Sequence, residues 1–371
     1  MVDIVLFEDL LRIDSTSGRE RKLADFLAQK LLTSHNRLDR FDVDSMASDV
    51  PQGHDLPQNL LFSWGEPKVI FCTHLDTVPP YIPPTSAEGE VYGRGTCDAK
   101  GQILAMWEAC KALEAKGYDG FGLLLLAGEE TGSFGAKAFK GQHPGAEWVV
   151  VGEPTDNCMA TAAKGTKSFE VTFTGEAFHS GYPEHGKSAV EMFNDFMNAL
   201  RSIRFPQDEL LGETTFNIGK LSSDNPQNIL SPSLTCRVYF RTTFETDEMV
   251  CNVMKNMAGE DARLRFGRPK AQDGSDVVGK DAADWQKAMS VKAFGGDSPT
   301  RFETFDGFPV KPVSFGSDAP QLTNCPRKIL CGPGSILVAH RQDEHISLND
   351  IETAVQNYIA IFENIKQTYT I

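Results

Sequence analysis

Short apolar runs bounded by glycine or proline alternate with helical spacing over the first 150 residues. Val69-Ile70-Phe71-Cys72-Thr73 is β-branched and aromatic, too short for a buried helix, and predicts a strand over 68–73. The same signature predicts strands over 59–64, 121–127 and 148–151, the last two almost wholly apolar, as strands buried on both faces must be. Ser17-Gly18-Arg19-Glu20 matches a capping box, and Leu23, Phe26, Leu27, Lys30 and Leu31 follow at helical spacing, predicting a helix over 18–32. The polar, proline-containing stretch 45–57 reads as a loop, and a helix is predicted over 102–115. Strand, helix, strand, helix and strand in this order indicate a mostly parallel sheet covered by helices.

The pattern changes after Glu153. Residues 167–174 and 233–243 alternate apolar with polar, helical periods run over 187–203 and 247–257, and 263–268 reads as a further strand. These elements suggest a small antiparallel sheet covered on one face, inserted as its own domain. The first pattern resumes near Val278 with a helix over 281–294 and closes with an amphipathic segment over 349–366. The fold class expected is therefore α/β, with domain spans 1–162 and 276–371 around an inserted α+β domain at 163–275.

Composition narrows the partners more than the fold. The chain has 371 residues, enough for two domains, and its 40% hydrophobic and 23% charged content is that of an ordinary globular protein. A net charge of −15 argues against nucleic acid, which needs a basic surface to displace counterions. The eight cysteines include no Cys-x-x-Cys pair, so neither a zinc ribbon nor a disulfide framework is suggested, and reduced cytoplasmic thiols are the simpler expectation. The sequence shows no basic-then-apolar leader and no apolar run approaching 18 residues, so no membrane partner is expected.

Candidate chemistry gathers where predicted strands end. His74 and Asp76, two apart at a strand end, would share a face, and a carboxylate beside an imidazole can fix its orientation on a metal. By itself His-x-Asp is most often a pair of surface polar residues. Asp98 lies in the glycine-rich turn Gly93-Arg94-Gly95-Thr96-Cys97-Asp98 before a helix, where an isolated Asp is usually an N-cap. The strand over 121–127 ends in Gly128-Glu129-Glu130, that over 148–151 in Gly152-Glu153-Pro154-Thr155, and Gly332-Pro333-Gly334 leads to His340. A Glu-Glu pair is ordinarily a solvated face, but carboxylates closing apolar strands beside an imidazole occupy the place where open α/β sheets bind ligands. On extended backbone Glu129 and Glu130 point to opposite sides, leaving one free for a metal and the other for a proton.

Together these motifs resemble the M20 family of dinuclear zinc amidohydrolases, over nearly the whole chain, and in texture its acetylornithine deacetylase and succinyl-diaminopimelate desuccinylase branch. The resemblance implies that His74 and Glu153 hold one Zn²⁺, Glu130 and His340 another, and Asp98 bridges them, with Co²⁺ and Mn²⁺ suited to the same donors. It implies that Asp76 clamps His74 and that Glu129 is the general base and acid. In the inserted domain, read as a lid and dimerisation domain, His179 would reach the partner subunit's centre of a homodimer. Asn228 and Arg241 would bind a substrate carboxylate, to which backbone N–H groups of Gly332, Gly334 and Ser335 could also turn. Gln102 departs from the family's usual Gly after Lys-Gly, and His345 is a spare imidazole.

The activity expected is hydrolysis of an N-acyl amino acid such as N-acetylornithine, with two zinc ions about 3.5 to 4 Å apart acidifying a water whose proton passes through Glu129. A dipeptidase, exopeptidase or desuccinylase would use the same centre, and a metal-free binding protein is the non-enzymatic alternative. Gly93-x-Gly95 misses the dinucleotide fingerprint because its third glycine position holds Asp98. Gly132-Ser133-Phe134-Gly135 lacks the nucleophile-elbow spacing, and Asp98 disfavours a Cys97 thiolate.

Overall fold

A computed structural model describes residues 2–44, 56–258 and 284–369. The chain divides into two units: 1–161 with 301–313 and 317–371, and 162–300 with 314–316.

The first unit is built on a six-stranded sheet in the order Arg37–Asp42, Gln58–Trp64, Phe121–Leu126, Val69–His74, Trp148–Val151, Arg327–Leu330. The last four run parallel to one another, and the two at the other edge are joined by antiparallel pairings. Every residue of Phe121–Leu126, Val69–His74 and Trp148–Val151 is buried, which explains their unbroken apolar character. Helix Leu348–Tyr369 lies on one face, with Tyr358 5.8 Å from the Phe71 ring and Phe362 5.6 Å from Phe121. Helix Phe134–Gln142 sets Phe139 5.6 Å from Phe41. Full burial of each such ring stabilises the unit by about 1.5–3 kcal/mol. Register then fixes the site: His74 pairs with Leu126 at the ends of neighbouring parallel strands, so the segments following each emerge side by side.

The second unit is a four-stranded antiparallel sheet, Thr215–Ser222, Ser233–Thr242, Gly165–Thr174, Met289–Gly295 in that order. Phe169, Val171, Phe173, Leu234, Cys236, Val238 and Phe240 form its buried face, packed against helices Ala189–Ser202 and Asp247–Met257.

Three sequence expectations change. The helix expected over 281–294 ends at Ala288, and Met289–Gly295 pairs with Gly165–Thr174, so the second unit runs to Thr300 rather than closing at 275. Alternation is weak there because the strand is an edge with mostly exposed side chains. The capping box does not form: the helix is Arg21–Lys30 and receives no side-chain cap. Asp98 is no N-cap, since helix Gly101–Ala115 begins three residues later and Lys100 holds its N-cap position. The strand expected over 263–268 lies outside the described residues, as does most of the loop over 45–57.

Candidate metal centre

His74 is the last residue of its strand, and its side chain is 1% exposed. Its Nε2 lies 2.9 Å from Asp98 Oδ1. Nδ1 sits 2.9 Å from the backbone carbonyl of Asp76, while the Asp76 carboxylate stays 3.6 Å away, beyond hydrogen-bond reach. The expected clamp on the imidazole is therefore the Asp76 carbonyl.

The Asp76 carboxylate has a different task, which sequence reasoning missed. Oδ1 accepts the N–H of Glu129 at 2.9 Å; Oδ2 accepts the N–H of Glu130 at 3.1 Å and the Ser17 hydroxyl at 2.9 Å. One buried carboxylate thus sets the backbone of both glutamates. Ser17 reaches it because Ser15–Ser17 pairs with the segment after His74: Ser17 N–H donates to the Thr77 carbonyl and Thr77 N–H to that of Ser15, both at 3.1 Å. The hydroxyl that looked like a helix cap serves the site instead.

Glu130 Oε1 is 3.0 Å from His340 Nε2, which is also 3.2 Å from Asp98 Oδ2. The donors form two groups, His74 with Asp98 and Glu153, and Asp98 with Glu130 and His340, the ligand atoms within each lying within 4.8 Å of one another. Asp98 belongs to both, the place a bridging ligand must hold. Glu153 follows Trp148–Val151 in a turn braced by Gly332: the Gly332 carbonyl accepts from the Asn157 N–H at 2.8 Å, and its N–H donates to Thr155 Oγ1 at 2.9 Å. The Gly332 N–H, expected to be available for a substrate carboxylate, is therefore already used. At Gly334 the carbonyl accepts from Asp156 N–H at 2.7 Å, and the Ser335 carbonyl accepts from the Cys97 thiol.

The electrostatics show how far the donor set departs from ordinary surface carboxylates. Burial, followed by the charge of Glu153 and opposed by His74, holds the Glu129 carboxyl well above the usual range. Burial also raises Glu153 well above it, and Glu130 to a lesser degree. Asp98 moves the other way: burial opposes its charge, but hydrogen bonds with His340 and His74 hold it well below. Hydrogen bonds to Asp98 and Glu130 push His340 up to about 10. Four carboxylates crowd two imidazoles, an excess of negative groups that calls for a positive counter-charge. A pair of divalent cations fits this set, with imidazole and carboxylate donors in the proportions zinc takes.

Further residues support the cluster from outside. Asp318, 2% exposed, lies near enough to Glu129 and Glu153 for its charge to act on both. Glu344 and Arg94 are buried beneath the Asp98 turn, and Gln102 donates to the Pro333 carbonyl at 2.8 Å. A carboxylate four residues after His340 was visible in the sequence, but nothing local marks it as buried.

His179, Asn228 and Arg241 belong to the second unit. His179 is exposed, and its Nδ1 accepts the Gly181 N–H at 3.0 Å. The neighbouring Asn228 carbonyl accepts the Ser180 N–H at 2.9 Å, and Arg241 lies over the Tyr239 ring at 5.1 Å.

Residues 70–364 match the protein-family model described as Peptidase family M20/M25/M40. A probable carboxypeptidase of Aspergillus terreus is 31% identical over 389 residues, 96% of this chain and 84% of that protein. Among solved structures, a tripeptidase from Staphylococcus aureus aligns with TM-score 0.76 and 18% identity over 99% of this chain and 100% of that one. An M20 family metallo-carboxypeptidase from Sulfolobus solfataricus aligns with TM-score 0.69 and 15% identity over 96% and 97%.

Proposed function

From the premise that this chain belongs to the M20 peptidase family, and so is a metal-dependent hydrolase of amide bonds, we propose that it is an exopeptidase releasing a C-terminal amino acid from short peptides. The observation that carries the chemistry is the pair of donor groups sharing Asp98, with Glu129 beside them. The similarity to fungal proteins named as probable carboxypeptidases favours a peptide over the acetyl group expected from sequence.

His74, Asp98 and Glu153 would hold one cation, and Asp98, Glu130 and His340 the other. When bound, the two ions would supply Lewis acidity toward the scissile carbonyl and acidify a water. Zinc suits these donors; cobalt and manganese suit them as well. Glu129 is free of the donor set and fixed through its N–H by Asp76, so it can accept the water proton and deliver it to the departing amine. Arg241 is the candidate for the free carboxylate of the departing residue. The reading also includes a homodimer in which His179 serves the partner's centre.

Deacylation is the second reading, since an N-acyl amino acid offers the same amide beside the same free carboxylate. A panel of dipeptides and tripeptides, their C-terminal amides, and N-acetyl amino acids separates the two. Cleavage of the free peptides, with the amides resistant, is expected; turnover of N-acetyl amino acids alone would replace the exopeptidase with the deacylase.

A further inference from the structure

Arg94 and Glu344 belong to neither donor group, yet two donors of the second group depend on them. Strand His345–Ser347 pairs antiparallel with Glu90–Tyr92, and the Gly93 N–H extends the ladder by donating to the Glu344 carbonyl at 2.9 Å. That register buries the Glu344 side chain under the Asp98 turn. Its Oε1 accepts three backbone N–H groups, from Gly95 at 2.9 Å and from Cys97 and Asp98 at 3.2 Å. Its Oε2 pairs with Arg94 Nη1. Arg94, 2% exposed, directs Nη2 to the His340 carbonyl at 3.4 Å and Nε to the Pro80 carbonyl at 3.3 Å. One buried ion pair therefore grips Asp98 by its backbone and His340 by its carbonyl.

The remaining donors have anchors of their own. His74 ends a central strand, Glu153 follows another, and Asp76 pins Glu130. His340 has no such support: it lies in a loop at φ +65°, with its side chain 48% exposed. Burying an ion pair carries a desolvation cost that an apolar pair of the same volume avoids, so this pair is weak evidence for stability, and its contacts point to orientation instead.

We propose that Arg94 and Glu344 are positioning residues that set the separation of Asp98 and His340, and thereby control cation affinity at the second position far more than at the first. This rests on the two-cation reading given above. Groups that orient metal ligands without touching the metal typically change affinity by about 10- to 100-fold when altered.

The test is calorimetric titration of demetallated full-length protein with zinc, with metal content measured in parallel and thermal unfolding used to check the fold. The wild type is expected to take up two ions. In Glu344→Gln the second should weaken by about 10- to 100-fold, and the first, which shares Asp98 but not His340, by clearly less. Arg94→Lys keeps the buried positive charge but loses the fork, and should give the same split even if Glu344→Gln does not fold. A second ion bound with wild-type affinity by the folded variants, or both ions weakened equally, overturns the inference while leaving two cations in place. A wild type taking up fewer than two ions overturns the two-cation reading and this inference with it.

Discussion

Two carboxylates sharpen the account at the scale of single residues. Glu129 is assigned the proton and no cation, so Glu129→Gln should keep the wild-type metal content while kcat falls at least about 100-fold. Metal analysis beside steady-state kinetics checks this, and a lost ion would make Glu129 a ligand instead. Glu20 provides a pH test. Its side chain is fully buried, and burial, then the nearby Asp76 charge, outweigh backbone hydrogen bonds from Gly18 and Gly128 and push it up to about 7 from 4.5. A raised carboxyl means the folded protein binds this proton more tightly than the unfolded chain. The folded state is thus favoured below pH 4.5, loses ground as pH rises to about 7, and carries a constant penalty of order a few kcal/mol above that. Glu20→Gln should therefore melt higher than wild type near pH 8, with the gap closing toward pH 4.5; equal melting temperatures at both would show that Glu20 carries no such strain.

At the scale of elements, local grammar read the buried strands well and failed where tertiary contacts outbid it. Phe121–Leu126 and Trp148–Val151 were legible because no surface element is apolar at every position. Ser17 and Glu20 carry the letters of a helix cap, but the hydroxyl found Asp76 and the carboxyl turned inward, neither of which spacing encodes. Met289–Gly295 was hidden for the opposite reason: an exposed edge strand has little hydrophobic alternation to announce it. The candidate donors His74, Glu130 and Glu153 were legible as motifs at the ends of strands. Glu344 and Arg94 were not, because their partners lie about 250 residues apart and burial of that pair is a property of the fold.

At the scale of the whole molecule, no helix among the described residues is long and apolar enough to cross a membrane. The proposed dimer is tested by subunit mixing. His179→Ala should lower kcat while the dimer persists, and verified heterodimers of His179→Ala with Glu129→Gln should recover part of the activity; no recovery would confine each centre to its own subunit. The thread from Ser17 to Asp76 has a practical side. A recombinant version begun at residue 70, where the family match starts, would contain every candidate ligand and the candidate base. It would nevertheless lack two strands of the sheet and the hydroxyl that helps aim two of them, so shortening the front of this polypeptide would disturb the site without deleting any of its ligands.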